Sequence, residues 1–357
     1  MNVVGEDRIS KLPDTLLHHI LSFLPTKCAV STSILWKRWK DVWVYVPVLD
    51  FLYWEPPRII FNRYEGNDEE AIILETNNFM DFVDRILLLR NMVNINNFCL
   101  NCESGFFDHT RVNAWITTAI NCGVEEFIFS GSYSYPSNGR MIPDSLFTSE
   151  TLTKLDFQIQ EQDRLDLPES ISLPRLKILR LTNIVYHDKK LAGKLFSSCP
   201  VLEELCLANG GLQNFYRIRV SAPTLKSFSL TCCLRSNMGD VMPVKVKINA
   251  PNLTSLTLSN WLPEDFSVHS FPLLQDAELY YNFSDIKTRF IPLSNFIMKL
   301  CNVKVLKLSG IYFEVLKLAQ DLSTGFPTFV YFRHIYLNLK PGCRLNLFFS
   351  YSCHTIE

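Results

Sequence analysis

The stretch CPVLEELCL, Cys199 to Leu207, places an apolar residue, two variable ones, an apolar residue, one variable one and an apolar residue at Leu202, Leu205 and Leu207. The alternation at its end is that of a strand with one buried face. Pro200, which cannot donate to a ladder, fits just ahead of such a strand and not its middle. A strand this short cannot cover its own apolar face, so the reading requires further copies beside it.

The copies are there. Upstream lie INNFCL (Ile95, Phe98, Leu100), VEEFIF (Val124, Phe127, Phe129), LTKLDF (Leu152, Leu155, Phe157) and LKILRL (Leu176, Leu179, Leu181). Downstream lie LKSFSL (Leu225, Phe228, Leu230), LTSLTL (Leu253, Leu256, Leu258), LQDAEL (Leu274, Ala277, Leu279), VKVLKL (Val303, Leu306, Leu308) and FRHIYL (Phe332, Ile335, Leu337). Successive copies start 21 to 29 residues apart, which is the period of leucine-rich repeats. LPRL, APTL, APNL and FPLL repeat the proline lead-in. Segments such as VNAWITTAI and KKLAGKLFSS supply helices or irregular turns between strands. The expected fold class is α/β, with the copies stacked into a curved solenoid along a parallel inner sheet.

In such a sheet the apolar triplet points into the core and the residue between its last two members points away from it. This gives a face carrying Cys99, Ile128, Asp156, Arg180, Cys206, Ser229, Thr257, Glu278, Lys307 and Tyr336. Signs, hydroxyls and apolar groups are mixed, which suits a protein or small ligand and not a phosphate-rich track. From Asp156 to Tyr336 the row is the candidate target-binding surface, and for any single residue simple solvation is the alternative.

Ahead of the repeats, LPDTLLHHILSFLPTK (12–27) carries Leu16, Leu17, Ile20, Leu21 and Leu24 at helical spacing between Pro13 and Pro25. A second helical pattern takes Ala29, Val30 and Ile34, and a third takes Leu35, Trp39 and Val42 or Trp43. Three short helices in about forty residues fall near the size at which a domain needs help to be stable. Some of their apolar surface is therefore expected to be completed by another polypeptide. LYWEPPRIIFNRYEGNDEEA (52–71), with Pro56-Pro57 and the acidic Asp68-Glu69-Glu70, reads as an irregular connection, and residues 78–89 as a helix. The expected organisation is 1–53, a three-helix unit; 54–92, a connecting segment; 93–340, the repeats; and 341–357, a tail.

Enzyme chemistry finds no foothold. GxSxG, GxxxxGKS and GxGxxG are absent from the chain. Lys+Arg is 35 against Asp+Glu 36, a formal net charge of -1 that steers toward neither nucleic acid nor an anionic membrane. The basic KRWK (37–40) is too short to change that, and no window is long and apolar enough to span a bilayer. The 11 cysteines are an odd number spread along the chain and read as reduced thiols, which with the charged start MNVVGEDRIS points to a cytoplasmic or nuclear protein. Cys99 and Cys102 form a lone CxxC without a second pair at zinc spacing, and His18 and His19 lack further ligands, so no metal or cofactor is expected. The sequons at Asn252 and Asn282 are incidental on this reading.

Glu6 to Phe51, EDRISKLPDTLLHHILSFLPTKCAVSTSILWKRWKDVWVYVPVLDF, closely resembles the F-box of plant F-box/leucine-rich-repeat proteins, and VNAWITTAINCGVEEFIF, CPVLEELCL and APTLKSFSL resemble their repeats. Ser31 stands where the family often has a basic residue, and Trp36 where it often has a small polar one. The resemblance implies a non-catalytic adaptor of a Skp-cullin-F-box ubiquitin ligase, whose F-box docks the Skp adaptor while the repeats hold a target protein. By motif, the docking residues are Leu12, Pro13, Leu16, Leu17, Ile20, Leu21, Leu24, Val30, Leu35, Trp39 and Trp43. It further implies that the C-terminal FBD-type domain of many relatives is absent or cut short here. The alternative is a repeat scaffold whose F-box is silent.

Overall fold

A computed structural model describes residues 9, 12–35, 37–54, 67–90, 93–103, 106–132, 141–160, 164–165, 167–183, 185–186, 194–208, 217–231, 245–259, 271–280, 296, 300, 303–309 and 334–338. The tail 341–357, Trp36 and Pro56-Pro57 lie outside the described residues. The fold is α/β, a helical N-terminal segment followed by the parallel strands of leucine-rich repeats, and the chain packs as two compact units, Met1–Asp163 and Arg164–Glu357.

The first unit opens with α1 (Asp14–Leu21) and α2 (Thr26–Ser31), each preceded by a proline at the cap. The third apolar set does not form an α-helix. It folds as 3-10 turns at Thr32–Ile34, Lys37–Lys40 and Val42–Tyr45, because the β-branched and aromatic run VWVY has low helix propensity and the segment is too short to propagate one. The strand β1 (Val48–Phe51) follows directly and pairs parallel with β2 (Asn97–Cys102), so the sheet begins ahead of the first repeat phrase. Between them runs α3 (Asn67–Arg90), which begins well before residue 78. Asp68, Glu69 and Glu70, expected in a connection, belong to its first turn.

The remaining elements of this unit are α4 (His109–Asn121), β3 (Glu126–Gly131) and β4 (Lys154–Ile159). VNAWITTAI is indeed helical. Its start is capped by Asp108, whose carboxylate accepts from the Thr110 and Arg111 amides at 2.8 and 3.4 Å. It ends at Gly123, whose positive φ of 77° lets the Val124 amide reach back to the Ala119 carbonyl at 3.1 Å and turns the chain into β3. α4 is braced on α3 by Arg111, paired with Asp81 at 2.8 Å and Asp84 at 2.5 Å, and by the Trp115 indole N–H donating to Asp84. In the core, Phe98 stacks on Phe127 at 6.0 Å and Phe129 on Phe157 at 4.9 Å, the triplet positions of neighbouring repeats in register.

The second unit carries β5 (Arg164–Leu165), β6 (Ile178–Thr182), β7 (Val185–Tyr186), β8 (Glu204–Ala208), β9 (Arg217–Ser221), β10 (Ser227–Thr231), β11 (Lys245–Asn249), β12 (Ser255–Ser259), β13 (Asp276–Tyr280), β14 (Val305–Ser309) and β15 (His334–Asn338). Its main sheet follows the repeats, β6-β8-β10-β12-β13-β14-β15, all parallel. The register stacks Leu179, Leu205, Phe228, Leu256, Ala277, Leu306 and Ile335 in one column, so every repeat places the same triplet member at the same depth. One carbonyl per repeat locks that register. Glu203 O accepts from Lys226 N and Ser227 N, and Lys226 O from Thr254 N and Ser255 N, all at 2.8 to 3.0 Å. The returns also pair, in two-stranded sheets of their own, β9 with β11 and β5 with β7. Of KKLAGKLFSS, residues 194–197 are helical and 189–193 lie outside the described residues.

A two-faced helix and an alternating sheet as the candidate functional site

In α1 successive residues point to different sides. Leu17 and Leu21, four apart, are 0% and 1% exposed and pack into a core with Ala29, Trp39, Val42, Trp43 and Val46. Leu16 and Ile20, also four apart, are 47% and 44% exposed. The apolar stripe of the sequence is thus two stripes, one holding the unit together and one facing out. The turn after α1 extends the outward stripe with Phe23, 74% exposed, and Leu24, and the 3-10 turn adds Ile34 and Leu35. Arg38 fixes the start of the helix by donating from Nη2 to the Leu12 carbonyl and to Asp14 Oδ1 at 2.6 Å.

This divides the motif-assigned docking residues. Leu16, Ile20, Leu24 and Leu35 are exposed, Pro13 is exposed at the helix cap, and Leu12 and Val30 are half-buried. Leu17, Leu21, Trp39 and Trp43 lie inside, so they offer no surface and act by holding the outward residues in place. Phe23 and Ile34 were not in the motif set. Phe23 falls in the turn just past the helical spacing, and Ile34, read as part of the second helical pattern, lies in a 3-10 turn instead.

Two contacts tie this segment to the rest of its unit. The Asp50 amide donates to the buried Thr26 Oγ1 at 2.7 Å, joining α2 to β1. The buried Arg90, last residue of α3, donates from Nη1 to the Val46 carbonyl at 2.6 Å and from Nη2 to the Asn94 carbonyl at 3.0 Å. Burial lowers its pKa to about 10, against a smaller opposing effect of Cys122. A guanidinium held by backbone carbonyls clamps the 3-10 turn, α3 and the lead-in to β2 together.

On the sheets, burial alternates as the triplets require. In β6, β8, β10, β12 and β14 the first, third and fifth residues are half-buried and the second and fourth buried. The outward row is in register, Cys99 beside Ile128 and Asp156 in the first unit, and Arg180, Cys206, Ser229, Thr257, Glu278, Lys307 and Tyr336 side by side in the second. The side chain of Tyr336 lies outside the described residues. Sequence reading named only the middle of three outward rows, since each strand also turns its first and fifth residues outward. Arg180 Nε donates to Glu204 at 2.8 Å, and Lys307 pairs with Glu278.

The row differs from expectation at Cys99, which is only 8% exposed and not open to a ligand. Burial, and then Asp50 among nearby carboxylates, pushes its thiol up to about 12. Cys102 is buried on the opposite face of the same strand, since positions three apart alternate sides, and burial pushes it up as well. The two thiols of the CxxC therefore cannot share a metal, and among the described residues no group of His, Cys, Asp and Glu could hold one.

Comparison with known proteins gives the same division. A family model described as "F-box domain" matches residues 9–50, and one described as "FBD-associated F-box protein At5g56370, LRR repeats" matches 112–283. F-box/LRR-repeat protein At3g59190 of Arabidopsis thaliana is 32% identical over 336 residues, covering 88% of this chain and 82% of its own length. Putative F-box/LRR-repeat protein At3g59170 of the same plant is 33% identical, covering 88% of this chain and 73% of its own length. The chain belongs to the F-box/LRR-repeat protein family.

The F-box so defined is the α1–α2 and 3-10 segment, and it ends on β1. The LRR match starts inside α4 and runs past β13. The chain spans 61% of the length of F-box/LRR-repeat protein At3g59200, another Arabidopsis thaliana relative, to which it is 32% identical.

Proposed function

We propose that this chain is the target-recruiting, non-catalytic subunit of a Skp-cullin-F-box ubiquitin ligase, acting in the cytoplasm or nucleus. The observation that carries this is the outward stripe of α1. Leu16 and Ile20 on the helix, and Phe23 and Leu24 in the turn after it, stand exposed while the inner stripe already fills the F-box core. A large apolar side chain left wholly in water forgoes about 1.5 to 3 kcal/mol that burial against a partner would return, and each of these forgoes a share of that. An F-box binding a Skp adaptor there recovers it, and the repeats then present a target through their outward sheet face.

Co-expression of the full chain with a Skp adaptor and a cullin, followed by size exclusion, tests the reading. Wild type co-elutes with both, and the Leu16→Asp, Ile20→Asp double variant, folded by circular dichroism, elutes apart. Co-elution of that variant at wild-type yield rules the reading out.

A further inference from the structure

In and beside the main strands a cation is answered by a glutamate of the neighbouring repeat. Lys154 meets Glu126 at 3.4 Å, Arg180 meets Glu204 at 2.8 Å, Lys226 meets Glu203 at 2.6 Å, and Lys307 pairs with Glu278. The return strands β9 and β11 break this pattern. They pair parallel with Arg217 opposite Lys245 and Arg219 opposite Lys247. Strand alternation puts these four on one face with Ser221 and Asn249, which are exposed. The other face falls to the apolar positions, of which Val220 and Ile248 are each 1% exposed. Two like-charge pairs thus stand directly across a sheet, an arrangement that costs stability unless an anion offsets it. The surrounding sequence supplies few. From residue 205 to residue 263 Lys and Arg number six against one carboxylate, Asp240, in a chain whose net charge is -1. Asp240 itself lies outside the described residues.

Same-side positions lie about 6.6 Å apart along a strand and about 4.8 Å apart across a sheet. All four cations therefore fall within one screening length, about 10 Å at 0.1 M salt, and a ligand meets them as one concentrated positive field. Arginine at two of the positions offers a planar fork that takes a carboxylate bidentately. The exposed Ser221 and Asn249 at the end of the same face can donate to a peptide carbonyl. The six positions of the face hold four cations, a serine and an asparagine. No aromatic stands among them to stack a base, and no apolar residue to enter a bilayer. Away from this segment the balance of charge turns negative, so a long polyanion would be repelled where a short acidic one is not. We propose that the β9–β11 face is a second interaction surface, and that it takes an acidic peptide segment of a partner protein, a short run of Asp and Glu. It is built on the return strands and uses no residue of the outward row on the main sheet.

The probe is a fluorescein-labelled octapeptide of glutamate, titrated by anisotropy into the full chain without its adaptor, so that the outcome does not depend on F-box docking. A glutamine octapeptide, a single-stranded oligothymidylate of the same length and phosphatidylserine vesicles are the comparison arms. The glutamate peptide should bind and the glutamine peptide should not, and raising salt from about 50 to about 500 mM should weaken binding by about ten-fold or more. Arg219→Gln with Lys247→Gln should weaken it by about ten-fold or more through lost charge-assisted hydrogen bonds. That variant removes one like-charge pair and should melt no lower than wild type, which separates lost binding from lost fold. Arg219→Glu with Lys247→Glu should abolish binding. No binding of the glutamate peptide, equal binding by wild type and both double variants, or tighter binding of the oligothymidylate or the vesicles would each overturn the proposal. Loss of adaptor co-elution with normal peptide binding would instead count against the ligase reading alone.

Discussion

Leu16 and Leu17 are neighbours in the chain and opposites in the structure, 47% and 0% exposed. One residue of helical rotation separates a side chain that holds the F-box together from one that faces out of it. Substitutions along α1 therefore sort into two kinds. Leu17→Ala should cost about 2 to 5 kcal/mol of stability, as for other large-to-small core changes. Leu16→Ala, at a solvated position, should stay within about 0.5 kcal/mol of wild type. Thermal melts of the two single variants check this, and equal shifts would show that the helix does not pack as described.

The clamp at Arg90 makes a different prediction. Arg90→Ala leaves the Val46 and Asn94 carbonyls without their donor and opens a cavity, so the first unit should lose about 3 kcal/mol or more. Arg90→Lys keeps charge but cannot reach two carbonyls with a planar fork, and should rescue only part of the loss. Hydrogen exchange localises the effect: residues 43–46 and 94–97 should lose protection together.

Asp108 links stability to pH. Its carboxyl is held below the ordinary value, chiefly by the Thr110 hydroxyl and then by the backbone amides of Thr110 and Arg111. A carboxyl with a lowered folded-state pKa contributes stability that is complete above its unfolded-state pKa. That contribution is lost as pH falls through the folded-state value. Asp108→Ala should cost about 1 kcal/mol at neutral pH, as for loss of a helix cap, and the gap to wild type should narrow as the solution is acidified. A pH series of urea titrations reads this out.

The cysteines differ in accessibility and therefore in reactivity. Cys28 is exposed, whereas Cys99 and Cys199 are buried with thiols pushed up to about 12, and Cys102 is buried and raised as well. Since the thiolate is the nucleophile, iodoacetamide under native conditions should label Cys28 ahead of the other described cysteines and leave Cys99, Cys102 and Cys199 intact until the chain unfolds. Peptide mass spectrometry after timed alkylation gives the order.

Much of this was legible in the residues. The repeat period, the triplet that points inward and the row between its last two members could be read directly, because a strand has a period of two and the register in the sheet follows the apolar column. The paired returns β9 and β11 were legible in principle, since RIRVS and KVKIN alternate like strands, but their apolar residues lie outside the leucine phrase. The division within α1 was not legible. Leu16 with Ile20 and Leu17 with Leu21 are both apolar pairs at the same spacing, and only the packing of Trp39 and Trp43 decides which pair turns inward. The start of α3 was hidden for another reason: its acidic first turn looks like a solvated connection.

If the outward stripe of the F-box docks a Skp adaptor while the inner stripe is core, binding and folding separate on substitution. Isothermal titration of a Skp adaptor into the full chain measures it directly, comparing wild type with the Leu16→Asp, Ile20→Asp variant. The variant should bind at least a hundred-fold more weakly, about 2.7 kcal/mol or more, with an unchanged melting temperature. Binding of the variant within about three-fold of wild type, or its loss only together with the fold, would contradict it.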